Sequence, residues 1–162
     1  MIGDRWNVTD DETRRHFACD DLVPSPALQA WRGVTVAAPV ERVWPWLTQI
    51  RVAPYSYDWI DNLGRRSPRT LLDLPEPVVG EPFIACGGRR MGRILHVETG
   101  RALTGEIAGA TMSYELVPQD GSTRLLLKVV LARGRVIAPL VSVGDLVMAR
   151  RQLLNLARLA AG

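Results

Sequence analysis

Lysine is almost missing from this 162-residue chain: of its 20 basic residues, Lys128 stands alone against 19 arginines. The arginines are scattered, in nothing longer than pairs such as Arg65-Arg66, Arg89-Arg90 and Arg150-Arg151, and the net charge is only +3. A phosphate-tracking stripe is therefore lacking, and nucleic acid is not an expected partner. Histidine and cysteine are equally scarce, with two of each. Cys19 and Cys86 lie far apart and outside any CxxC pattern, which argues against a zinc site, a thiol nucleophile or a disulfide framework. Reduced thiols are expected. No apolar run reaches the roughly 20 residues that a membrane span needs. Residues 1–11 are polar and acidic, so membrane insertion and secretion are not expected and the cytoplasm is the default. The signatures GxGxxG, GxxxxGKS, GxSxG and HExxH are absent. GGRRMG at 87–92 joins two strands instead of opening a helix, so it reads as a hairpin turn and not a phosphate loop. Asp20-Asp21 lacks further oxygen ligands and reads as a solvated turn. Nothing calls for a metal or an organic cofactor.

What is abundant is aromatic residues in one place. The segment PVERVWPWLTQIRVAPYSYDWIDNL, residues 39–63, holds three of the five Trp and two of the three Tyr. It follows a strand-like run over 28–37, where Val34 and Val36 share a face, and packing of this density suits a core wall or the mouth of an apolar cavity. Val40, Val43, Trp44 and Leu47 recur at helical spacing after Pro39. Pro45 inside that helix removes a backbone bond and predicts a kink turning Trp46 away from Trp44. A second short helix is expected over 55–63, ended by Gly64. Ahead of all this, Thr9 and Glu12 have capping-box spacing, which predicts a short helix over 10–17; residues 20–26 read as an extended lead-in because of Pro24 and Pro26.

From residue 81 the period drops to two. Five runs, 82–86, 91–98, 102–108, 111–117 and 123–132, are separated by turn-rich segments, which predicts an antiparallel meander. In the last run Leu125, Leu127, Val129 and Leu131 form a core face, and Arg124, Leu126, Lys128 and Val130 the half-solvated one. Residues 139–161 are the longest helical candidate. Val143, Leu146, Val147, Leu153, Leu154 and Ala157 fall in its apolar arc, Ser142, Asp145, Gln152 and Asn155 mostly opposite, and Arg150 within the arc. No internal repeat is visible.

The motifs DDLVPSP, APVERVWPWLTQI, YSYDWIDNLGR and MARRQLL, in this order of elements, resemble an uncharacterised bacterial branch of the helix-grip superfamily. This is the START-like, birch-pollen-allergen-like (SRPBCC) group, often labelled polyketide cyclase/dehydrase and lipid transport. The resemblance spans 20–160. It implies an α+β fold in one domain, 1–162, in which a curved antiparallel sheet of six to seven strands wraps around the long C-terminal helix. Two short helices follow the first strand, and residues 1–27 are an N-terminal extension with a short helix. A cavity between sheet and helix is implied too. Six strands are countable, so 70–90 hides a seventh or the sheet is trimmed there.

The expected function is the binding, or carriage, of a small hydrophobic molecule such as a lipid or polyketide-like compound. Trp46, Tyr55, Tyr57, Trp59, Tyr114, Val143, Val147 and Met148 are the candidate cavity residues, with Tyr55 and Trp59 sharing a helical face. Arg150, placed in an apolar arc, needs a carboxylate, with Asp58 the first candidate for a structural pair and Glu41 the second. An aromatase/cyclase-type enzyme is the alternative, with His96, Tyr114 or Glu106 as acid or base. His96 shares parity with Ile94 and Glu98, and its facing solvent is the simpler reading. His16 is expected to be exposed. The third alternative is an interaction module with a collapsed cavity that works through the outer sheet face.

Overall fold

The strand Ser122–Leu131 (β8) organises the molecule because its alternation is unbroken. In the computed structural model, which describes residues 4–132 and 138–162 without the side chains of Asp61 and 138–146, β8 pairs antiparallel with Leu28–Val36 (β2) on one side and Ala110–Gln119 (β7) on the other. Ala102–Ile107 (β6) and Arg93–Glu98 (β5) extend the sheet from β7, and the two-residue strand Arg5–Trp6 (β1) lies parallel to β2. The result is a six-stranded sheet in the order β1-β2-β8-β7-β6-β5. The 24-residue helix Ala138–Ala161 (α5) packs on its inner face, and short helices follow the first long strand, as a helix-grip architecture requires. No described helix is long and apolar enough to cross a membrane.

The expected run 91–98 is broken in two. Ile84–Cys86 (β3) and Arg89–Met91 (β4) form a separate hairpin, and this is what 70–90 held. Gly92 makes the break: its φ of +70° is open to glycine, and a Cβ there would lie 2.2 Å from the Glu106 carbonyl oxygen. Phe83 then folds over Gly105, where a Cβ would meet the ring at 2.2 Å.

Leu125, Leu127 and Val129 enter the main core with Val34, Val36, Leu103, Tyr114 and Leu116, each buried aliphatic contributing about 1.5–3 kcal/mol. The opposite face of β8 corrects the expectation. Arg124, Leu126, Lys128 and Val130 are buried, because the N-terminal extension lies across them. Helices Asp10–Thr13 (α1) and Ala18–Leu22 (α2) bring Phe17 and Cys19 onto Leu126 and Val130. The Thr9/Glu12 capping box forms, but α1 ends at Thr13 and α2 occupies part of the expected extended lead-in. Asp20 is not a solvated turn residue: it pairs with Lys128, whose ammonium lies 5.8 Å from the Phe17 ring and 5.0 Å from that of Trp31. Glu12 accepts from Arg124 Nε at 2.6 Å, and Arg15 reaches Glu115 at 3.5 Å. His16 is exposed and meets Asp21 at 2.9 Å.

The register of α5 also differs. Its buried face is Ala149, Gln152, Leu153, Leu156 and Ala160, with Asn155 half-buried. Val147 and Leu154 are 48% and 40% exposed. The arc is rotated because Gln152 turns inward to bridge two elements: its Nε2 donates to Pro54 O at 2.7 Å, and its Oε1 accepts from Tyr114 Oη at 2.5 Å. Val143 and Leu146 lie outside the described side chains.

Candidate functional site

The aromatic segment is held together by one buried amide. Val40–Thr48 (α3) runs into a 3-10 turn, Gln49–Arg51, and Gln49 Nε2 donates to Tyr55 Oη at 2.6 Å and to Thr70 O at 3.0 Å. Its Oε1 accepts from Leu72 N at 2.8 Å. Tyr55 Oη donates to Pro68 O at 2.9 Å, and burial raises the phenol's pKa. Arg51 donates to Pro75 O, and Trp44 Nε1 donates to Glu76 at 3.1 Å, so the irregular stretch from 68 to 76 is tied to α3 and its turn. Trp44 and Trp46, on either side of Pro45, are both buried in the main core, with Trp46 edge-on to Tyr55 at 6.3 Å.

The expected shared face of Tyr55 and Trp59 does not form. The second short helix is Asp58–Asp61 (α4), and Tyr55 precedes it at φ 55°, so the two are not on one helix. Tyr55 is buried, whereas Trp59 is 74% exposed. Asp58 turns to the following loop, accepting from Ser67 N at 2.9 Å and from Ser67 Oγ at 2.6 Å. Among the described residues no ion pair joins it to Arg150, nor does one join Glu41 to Arg150. Arg150 is exposed on α5, with its guanidinium over the Trp6 ring at 5.1 Å. At the surface it needs no carboxylate.

The proton-transfer candidates are divided by the sheet. Tyr114, in register with Leu103, faces α5 in the main core. His96 is in register with Thr104, whose hydroxyl meets Ser113 Oγ at 2.7 Å, and Ser113 accepts from Cys19 N of α2. That row lies on the face covered by the N-terminal extension. Glu106 has the parity of Thr104 and pairs with Arg93 at 3.0 Å. The acid/base pair His96–Tyr114 is thus not assembled, and Glu106 is on the His96 side. The bulge between Ile94 and His96 keeps Ile94 in the core and sets His96 on the opposite face.

Two openings flank α5 on its side toward the Pro54–Asp58 stretch. The first, about 190 Å3, is mainly apolar and lined by Pro54, Ile84, Cys86, Met112, Met148 and Gln152. The second, about 380 Å3, is lined by Tyr57, Trp59, Arg69, Arg151, Asn155 and Arg158 among others. Ser56 lines both. They lie on either side of a stitch made by Gln152 to Pro54 O and by Asn155 Nδ2 to Tyr55 O at 2.9 Å. Of the residues expected to line a cavity, Met148 borders the first opening, and Tyr55, Tyr57 and Trp59 border the second. Val147 borders a further cleft with Tyr57 and Leu154. Trp46 and Tyr114 belong to the packed interior, and Val143 lies outside the described side chains. The arginines of the second opening were missed because spacing on α5 alone does not reveal that Tyr57 and Arg69 come to meet them.

No family model matches the chain, and no curated protein does. Solved structures do. The protein MLL2253 from Mesorhizobium loti is 18% identical, with a TM-score of 0.56 over 81% of this chain and 95% of that one. CalU16 from Micromonospora echinospora is 20% identical, with a TM-score of 0.53 over 84% and 85%. DynU16, a protein in the dynemicin biosynthetic locus, is 19% identical with a TM-score of 0.50, over 79% of this chain and 46% of that one. At such identities the likeness is one of fold: a mainly antiparallel sheet closed over a long C-terminal helix, shared with bacterial proteins.

Proposed function

We propose that this chain is a helix-grip domain of the START-like kind that binds a small hydrophobic ligand, lipid or polyketide-like, in the groove between α5, the Pro54–Asp58 stretch and the β3–β4 hairpin. The observation that carries this reading is the apolar opening. Met112, Met148, Ile84 and Cys86 present polarisable, adaptable side chains to a cleft of about 190 Å3, in a protein whose deeper interior is filled by Phe83, Trp46 and Tyr114. A ligand covering these walls gains about 25 cal/mol per Å2 of apolar surface removed from water. That a protein of like fold sits in a biosynthetic locus for a small molecule favours a ligand of that size. The cyclase-type reading lacks its His96–Tyr114 pair. The interaction-module reading keeps one feature in its favour, the exposed ridge of Trp59, Ile60 and Leu63, but not the outer sheet face, which the N-terminal extension covers over β7 and β8.

Cys86 makes the proposal testable. It is half-buried in the opening, while Cys19 is fully buried with its thiol pushed up to about 11 by desolvation, so a thiol reagent should find Cys86 first. Saturating the neutral probe N-phenyl-naphthylamine should raise its fluorescence and slow labelling of Cys86. Native mass spectrometry of protein from its own host should show a bound apolar molecule. Absence of saturable probe binding together with an empty native spectrum would sink the reading.

A further inference from the structure

Most arginines with a described partner in this molecule meet a carboxylate: Arg5 with Asp10, Arg51 with Glu81, Arg93 with Glu106, Arg101 with Glu98, Arg124 with Glu12. Arg69, Arg151 and Arg158 line one cleft and form no ion pair among the described residues. The carboxylate of Asp58, which lines the same cleft, is already bonded through both oxygens to Ser67. Two of the three guanidinium groups are nevertheless positioned. Arg151 lies over the Tyr57 ring at 5.7 Å, and Arg158 Nη2 donates to Asn155 Oδ1 at 3.3 Å. Asn155 is itself fixed by its bond to Tyr55 O. Oriented cations with no ion pair among the described residues, beside an indole left 74% in water, make a site suited to a negative group with an apolar neighbour.

Resting on the groove reading above, we infer that the ligand is an acid: its apolar part lies in the opening at Met112 and Met148, and its carboxylate or phosphate crosses Ser56 to Arg69, Arg151 and Arg158. The planar, five-donor guanidinium suits either oxyanion, and its weak hydration lowers the cost of leaving water. Trp59 and Tyr57 flank the ligand's first carbons.

Displacement of N-phenyl-naphthylamine by decanoate, decanol and decyl phosphate, at neutral pH and low salt, tests this. Decanoate or decyl phosphate should displace the probe at concentrations about tenfold or more below decanol, an advantage that shrinks as salt is added. Decanoate acting alone identifies a carboxylate head group, and decyl phosphate acting alone identifies a phosphate. In the double variant Arg151→Gln/Arg158→Gln the acid should fall to decanol's potency while decanol is unchanged. Both side chains are exposed, so folding should survive, as the unchanged decanol curve would report. Equal potency of acids and alcohol on the native protein overturns the acid site and leaves the groove reading standing. A probe that never binds overturns both.

Discussion

The two sides of this sheet use charge in opposite ways. On the outer side, Arg124, Lys128 and Glu115 are buried and each meets a partner from the N-terminal extension, at Glu12, Asp20 and Arg15. On the α5 flank, Arg69, Arg151 and Arg158 line an open cleft and form no ion pair among the described residues. Paired charges under a cover fix one chain segment on another, and at Arg124 and Lys128 removing the carboxylate leaves a buried cation behind. Cations oriented by a ring or an amide hold no segment down. The contrast separates charge that builds the fold from charge available to a guest.

The largest loss is expected at Asp20. Asp20→Ala leaves Lys128 buried without its anion, and urea unfolding should show a loss of about 3–5 kcal/mol. A loss close to zero would mean that the outer charges are as dispensable as those of the flank. Next comes Gln152→Ala, which strips a partner from both Tyr114 Oη and Pro54 O. It should cost about 1–3 kcal/mol and loosen the stitch between the two openings, read as faster labelling of Cys86.

At Glu12 the pairing is sensitive to pH. The hydrogen bond from Arg124 holds its carboxyl below the usual value of 4.5. A depressed folded value contributes stability that is present above the unfolded value and lost as pH falls through the folded one. Glu12→Gln should therefore cost about 1–2 kcal/mol at neutral pH and flatten the acid limb of the stability curve below 4.5. Glu115 has the opposite sign and the smallest effect. Burial raises its pKa despite Arg15, so the folded state favours the proton and stability declines as pH rises through the folded value. Glu115→Gln should change neutral-pH stability by less than about 1 kcal/mol, in the favourable direction, and remove that decline.

Much of the architecture was legible because it rests on local rules. Alternation in β8, turn residues between strands and the Thr9/Glu12 box each point to their own element. The lapses share a different cause. Arg124 and Lys128 read as solvent-facing because their partners lie more than a hundred residues away, in a segment whose own pattern gives no hint of where it docks. Hydropathy alone leaves Gln152 out of the α5 arc as a polar residue, although two hydrogen bonds make it a core residue. Tyr55 and Trp59 share a face only on a helix that starts at 55, whereas α4 begins at Asp58. The arginine cleft is illegible for the same reason as the docking of the N-terminal extension: it assembles from three stretches of chain that no spacing rule connects.

The central pairing carries a consequence for biosynthesis. Leu28 lies opposite Leu131 and Val36 opposite Thr123, so β2 has no long partner until residues 122–131 have been made. During translation the tryptophan-rich stretch that follows β2 waits with its apolar surface uncovered, and closure of so distant a pairing is slow. The nascent chain is thus most prone to clumping before β8 emerges, and a chaperone that shields residues 39–63 in that interval should raise the yield of native protein more than one acting after release.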